Sequence, residues 1–171
     1  MTTPFPSDDL ADILEGNRTY AAEFSGTGLG GSAQRGLAIV TCMDSRIVPL
    51  AVVGMEQGDA KILRNAGARV TDDVLRTLVL ATYLLGVKRV LVMPHTDCRM
   101  ASASEAEIHE AIERDFHVDT RSVEFRTVKD QEAALIYDVT RIRSYPLMPR
   151  DLVVAGAIYD VATGVLSPRD I

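Results

Sequence analysis

Three short apolar runs constrain the fold most. Residues 36–40, 87–93 and 152–158 are rich in Val, Ile and Leu, the composition of strands buried on both faces of a parallel sheet. Helical stretches separate them. Thr71 begins one that runs to about residue 85 and ends at Gly86. Residues 104–114 form a second and 128–143 a third, the latter with Ala133, Leu135, Ile136, Val139 and Ile142 on or near its inner face before Tyr145-Pro146 breaks it. A strand over 59–63, a short helix over 48–55 and a turn at 162–164 complete the order. Strands alternating with helices specify a three-layer α/β/α domain around a mostly parallel central sheet of four to five strands.

The amino-terminal part differs. Ser7 is placed to cap a helix to about Phe24, with Leu10, Ile13, Leu14, Tyr20 and Phe24 as an apolar stripe. Residues 1–25 thus read as a helical arm, and 26–35 as a glycine-rich linker to the rest of a single domain spanning 1–171. The run Gly26-Thr27-Gly28-Leu29-Gly30-Gly31 is not a nucleotide-binding loop, because it follows a helix and precedes a strand, the reverse of what phosphate binding at a helix start requires.

At 171 residues the chain supports one substantial core. A net charge of −6 without a Lys/Arg stripe excludes a nucleic-acid-binding role. No start of the basic-then-apolar kind and no spanning apolar run points to a membrane, so the cytoplasm is the expected location, where thiols stay reduced.

Two cysteines are present, and both sit in polar clusters just after strands: Cys42 in TCMDSR and Cys98 in HTDCRM. Ligand and catalytic groups gather at that carboxyl edge of an open α/β sheet. Lone cysteines are commonly small buried hydrophobes, but not beside Asp, Arg and His; two in this length are no disulfide framework. His95 and Cys98, three residues apart on a strand-to-helix turn, can converge with Cys42 from an adjacent strand. A Cys2His set suits zinc and leaves a fourth position for water or substrate. Asp44 either takes that position or is held by Arg46 in a bidentate pair that frees it.

Cys42-Met43-Asp44-Ser45-Arg46, Arg64-Asn65-Ala66-Gly67 and His95-Thr96-Asp97-Cys98, in this order and spacing, resemble a β-class carbonic anhydrase. The ending Ala155-Gly156-Ala157-Ile158-Tyr159-Asp160, with Thr163-Gly164, is similar to that family's last strand and turn. The resemblance implies zinc-dependent, reversible hydration of CO2 to bicarbonate and a proton by zinc-bound hydroxide, with Zn2+ on Cys42, His95 and Cys98. It implies that Asp44 orients the hydroxide while Arg46 keeps Asp44 ionised and off the metal. It also implies a homodimer or tetramer in which the first helix packs on a partner subunit. Two other outcomes fit the same residues: a hydrolase of carbon disulfide or carbonyl sulfide, and a zinc-binding homologue without catalysis.

One position departs from the family pattern. Glycine usually follows the second cysteine, whereas Arg99 stands here. Either the turn needs no positive φ there, or the mouth of the site is reshaped. Gly67, Asp97 and Arg99 are the residues expected around substrate access. For Asp97, a turn-forming or helix-capping role is the first reading. Asp72 and Asp73 start a helix, and His109 and His117 belong to a solvated helix surface. No spacing singles out a proton shuttle among Tyr83 and these histidines.

Overall fold

The structure, a computed structural model, describes residues 3–26 and 28–171. Met1 and Thr2 of the expected arm, and Thr27 of the expected linker, lie outside the described residues. The chain divides into two compact units, 1–30 and 31–171.

The first unit carries helix α1, Ala11–Glu23. It begins later than its sequence suggests: Leu10 stands at the N-cap without a side-chain bond, and the Ser7 hydroxyl turns back to the Phe5 carbonyl. The apolar side chains are there, with Tyr20 against Phe24 and Ile13 61% exposed, and α1 has no buried residue.

The second unit contains strands β1 (Leu37–Cys42), β2 (Ala60–Asn65), β3 (Arg89–Met93), β4 (Val153–Tyr159) and β5 (Leu166–Arg169). Its helices are α2 (Pro49–Val52), α3 (Asp72–Leu84), α4 (Glu105–Phe116) and α5 (Gln131–Arg143). The sheet order is β2-β1-β3-β4-β5, parallel throughout except for β5, which returns antiparallel on β4. Local chemistry explains the helix starts. Thr71 accepts from Val74 N–H, Ser104 and Glu107 form a reciprocal capping box, and Asp130 accepts from Ala133 N–H. Among the described residues no helix is long and apolar enough to cross a membrane.

Alternation along the strands sorts the core onto two faces. Ala38, Val40, Val90 and Val92 pack with Leu75 and Leu78 of α3 and with Leu135, Val139 and Ile142 of α5. Leu37, Ile39 and Met93 face the other way and cluster with Ile47 and Cys98, and Cys42, at the end of β1, borders that cluster. Helix α5 lies close to β4 at Gly156, where a Cβ would come within 2.7 Å of Ile171 and 3.0 Å of Leu135.

Helix α5 departs from its sequence expectation in one respect that matters. Ile136 is 47% exposed, Ala133 also points outward, and Asp138 is buried in the inner face instead. Burial of that carboxylate is compensated by Arg69 Nε at 2.7 Å and the Val70 N–H at 3.1 Å. Removing one member of such a pair leaves an uncompensated buried charge. Asp138→Ala is therefore expected to cost about 3 kcal/mol of stability, read from urea unfolding of the metal-loaded protein, and a loss below about 1 kcal/mol would contradict this account of the pair.

Candidate metal centre

Parallel pairing brings three strand ends together. Cys42 is the last residue of β1 and pairs with Asn65 at the end of β2, while Thr41 pairs with Met93, the last residue of β3. The chain beyond β3 is then pinned from several sides. His95 forms a bridge to Tyr159, Thr96 N–H donates to the Tyr159 carbonyl at 2.9 Å, and the Gln131 amide donates to the His95 carbonyl at 2.7 Å.

The result is a converging donor set. The ligand atoms of Cys42, His95 and Cys98 all lie within 4.8 Å of one another, and all three residues are buried. The sulfurs are 4.0 Å apart. His95 Nδ1 lies 2.8 Å from the Thr96 carbonyl, which places the ring proton on Nδ1 and leaves the Nε2 lone pair free. Among the described residues, that Nε2 is the buried side-chain polar atom without a hydrogen-bond partner. An orphaned imidazole nitrogen facing two thiols fits a soft divalent metal.

Asp44 and Arg46 stand beside this set. Arg46 Nε and Nη2 reach Asp44 Oδ1 at 2.9 Å and Oδ2 at 2.8 Å, and the Arg46 N–H donates to Oδ1 as well. These bonds hold the Asp44 carboxyl well below the usual carboxylate range. Asp44 Oδ2 lies 3.8 Å from His95 Nε2, so the carboxylate borders the donor set while tied to Arg46.

Two segments shape the surroundings. Arg64 donates to the carbonyls of Cys42, Ile47 and Asp44, which fixes the turn after β1. The Asn65 amide brackets Arg69, accepting from its N–H and donating to its carbonyl. That bracket pinches Gly67 and Ala68 into left-handed backbone, φ 77° and 60°, and aims the Gly67 N–H at Cys42 Sγ at 3.4 Å. Glycine suits the first position twice over, since a Cβ there would meet the Met100 Cβ at 3.2 Å. Gly67 borders a small cavity shared with Cys98, Pro94, Gln131 and Leu135.

Asp97 forms the turn, as its sequence position suggests, and of the two alternatives for Arg99 the structure takes the one in which the turn needs no positive φ there. The left-handed residue of the turn is Asp97, φ 52°, and Arg99 opens a single 3-10 turn over Arg99–Ala101. The turn therefore needs no glycine at position 99, and Arg99 is exposed without a side-chain hydrogen bond or ion pair among the described residues. Asp97, read first as a turn former, also accepts from Arg46. Arg69, Gln131 and Asp138 had no motif to reveal them. His109 is half-buried against Phe125 with Nδ1 on Thr120, not on a solvated face, whereas His117 ends α4 exposed. Tyr83 lies at the far end of α3, near the start of β3 and so at the opposite edge of the sheet.

Fold and donor set together define an α/β protein whose two cysteines and one histidine are placed to hold a metal at the carboxyl edge of its sheet. The sequence profile of the carbonic anhydrase family matches residues 37–166, and the chain belongs to the β-carbonic anhydrases. Beta-carbonic anhydrase 1 of Mycobacterium tuberculosis is 34% identical over 157 residues, 91% of this chain and 94% of that protein. A carbon disulfide hydrolase of an Acidianus species is 31% identical over 152 residues, 75% of this chain and 74% of that one. The crystal structure of a carbonic anhydrase from Streptococcus mutans superposes with a TM-score of 0.88 at 37% identity, covering 98% of this chain and all of that one.

The two sulfurs are not equivalent. A hydrogen bond from the Cys98 thiol, with the Gly67 N–H, holds Cys42 well below the usual thiol range, whereas that same bond and burial push Cys98 up. A metal that takes both as thiolates must displace the Cys98 proton, so affinity rises with pH. Calorimetry of zinc binding at neutral pH, repeated in buffers of different ionisation heat, should show release of about one proton or more, and no net release would contradict this pairing.

Proposed function

We propose that this chain catalyses the reversible hydration of carbon dioxide to bicarbonate and a proton at zinc held by Cys42, His95 and Cys98. The observation that carries the reading is the buried, unpartnered His95 Nε2 among two sulfurs, with Asp44 drawn aside by Arg46. Zinc bound there supplies Lewis acidity that makes a nucleophile of water near neutral pH.

The remaining work falls to the chain. His95 offers Nε2 because the Thr96 carbonyl holds its other nitrogen. Asp44, kept ionised by Arg46, accepts a hydrogen bond from the reacting water and turns a lone pair toward the carbon. Arg46 also prevents Asp44 from occupying the fourth coordination position itself. The small cavity that Gly67 borders beside Cys98 suits a small apolar substrate. Exposed Arg99 attracts the bicarbonate product to the mouth of the site.

Two further parts of the reading concern the setting. The cytoplasm keeps both thiols reduced for the metal. The chain works as a homodimer, with α1 laid on the partner subunit; support comes from the exposed Ile13 and Tyr20 of α1 and the flanking Phe5 and Phe24, too much apolar surface for an isolated arm. Size measurement at low micromolar concentration should find a dimer, and a stable, active monomer would remove this part.

Two thiolates offset the charge of the metal, so the attacking water ionises at higher pH than on an all-histidine site. Stopped-flow CO2 hydration by the zinc-loaded protein should therefore rise toward alkaline pH, and Arg46→Ala should lose at least about tenfold in turnover. A rate that is flat with pH, or full turnover in Arg46→Ala, would contradict the mechanism; hydrolysis of carbon disulfide without CO2 hydration would overturn the substrate.

A further inference from the structure

The second carboxylate on Arg46 has a consequence beyond turn formation. Arg46 is no buried anchor: its side chain is 44% exposed, and one exposed ion pair restrains a long side chain weakly. Two residues grip its guanidinium, however, along different edges. Nε and Nη2 face Asp44, while Nη1 reaches Asp97 Oδ2 at 2.7 Å and Nη2 reaches the Asp97 carbonyl at 3.0 Å. A planar fork bound on both edges cannot rotate without breaking several bonds.

The backbone of Asp97 provides for this. Its φ of 52° lies in the left-handed region that Asp and Asn adopt far more readily than other side chains. From that conformation both its carboxylate and its carbonyl reach Arg46. Asp97 also stands directly between Thr96, which holds His95, and Cys98. The contact thus ties the turn carrying two metal ligands to the turn carrying Asp44, from residues 51 positions apart in the chain.

We infer that Asp97 is a positioning residue of this metal centre: by fixing the Arg46 guanidinium it holds Asp44 off the metal and keeps the fourth coordination position available to an exogenous ligand. The inference rests on the reading of Arg46 and Asp44 given above. Its effect runs through orientation more than charge, because the Asp97 side chain is 79% exposed and water screens its field. A residue needed only to make the turn would not require the bond that Oδ2 accepts from Arg46 Nη1.

Two substitutions separate these roles, since both keep the left-handed backbone: Asp97→Asn retains an acceptor for Arg46 Nη1, and Asp97→Gly removes it. The probe is thiocyanate, titrated into the cobalt(II)-substituted protein and followed by the visible bands of the metal. If the open fraction falls to about one fifth in Asp97→Gly, the apparent Kd for thiocyanate rises about fivefold, whereas Asp97→Asn stays within about twofold of the wild type. Arg46→Ala serves as the reference and should weaken thiocyanate at least as much as Asp97→Gly. Should the glycine variant fail to load cobalt, Asp97→Ser makes the same comparison. Unchanged or tighter thiocyanate binding in Asp97→Gly, with Arg46→Ala weakened, overturns the inference and leaves Asp97 a turn former. Unchanged binding in Arg46→Ala instead overturns the gate on which it rests.

Discussion

The parallel pairing of β1 with both β2 and β3 is the constraint from which the site follows. Cys42 opposes Asn65 and Thr41 opposes Met93, so the turn after β1, the loop after β2 and the ligand turn after β3 open at one edge. A slip of one residue would send Cys42 to the opposite face, because side chains alternate along a strand. The apolar faces resist such a slip. Val40 and Val92 are buried against α3 and α5, and Ile39 and Met93 against the other cluster. Burial of ordinary Val, Ile and Leu side chains thereby sets the approach of two sulfurs to one imidazole.

Backbone hydrogen bonding then converts proximity into fixed geometry. Arg64 spends its guanidinium on three carbonyls of the turn that carries Cys42 and Asp44. Asn65 brackets Arg69, Asp138 receives Arg69 from α5, and the pinched loop between them presents the Gly67 N–H to Cys42. Gln131 and Tyr159 restrain the backbone on either side of His95. Ligands held in this way need little reorganisation when a metal binds, and their donor strength is tuned by the same bonds.

Much of this was legible from local signals. Apolar runs marked the strands, Thr71 and Ser104 marked helix starts through their caps, and the spacing of His95 and Cys98 after a strand marked convergence. What was not legible depended on partners distant in sequence. Asp138 carried no signal of its burial on α5, because its partner Arg69 lies 69 residues away. Asp97 looked like a turn former because the Arg46 that it binds lies on another strand end. Strand β5 escaped notice because it is four residues long and contains Pro168, which an edge position tolerates and a central one does not. At Arg99 the sequence left open whether the turn needs positive φ, because the left-handed residue is Asp97, two positions earlier.

The proposed chemistry depends on Asp44 staying paired with Arg46 when Cys42, His95 and Cys98 take up the metal. A crystal structure of the zinc-loaded protein grown at alkaline pH tests it directly. The account predicts zinc on Cys42, His95 and Cys98, solvent in the fourth position at about 2.0 Å, and both Asp44–Arg46 bonds intact. An Asp44 oxygen bound to zinc under those conditions, with Arg46 released, would contradict it.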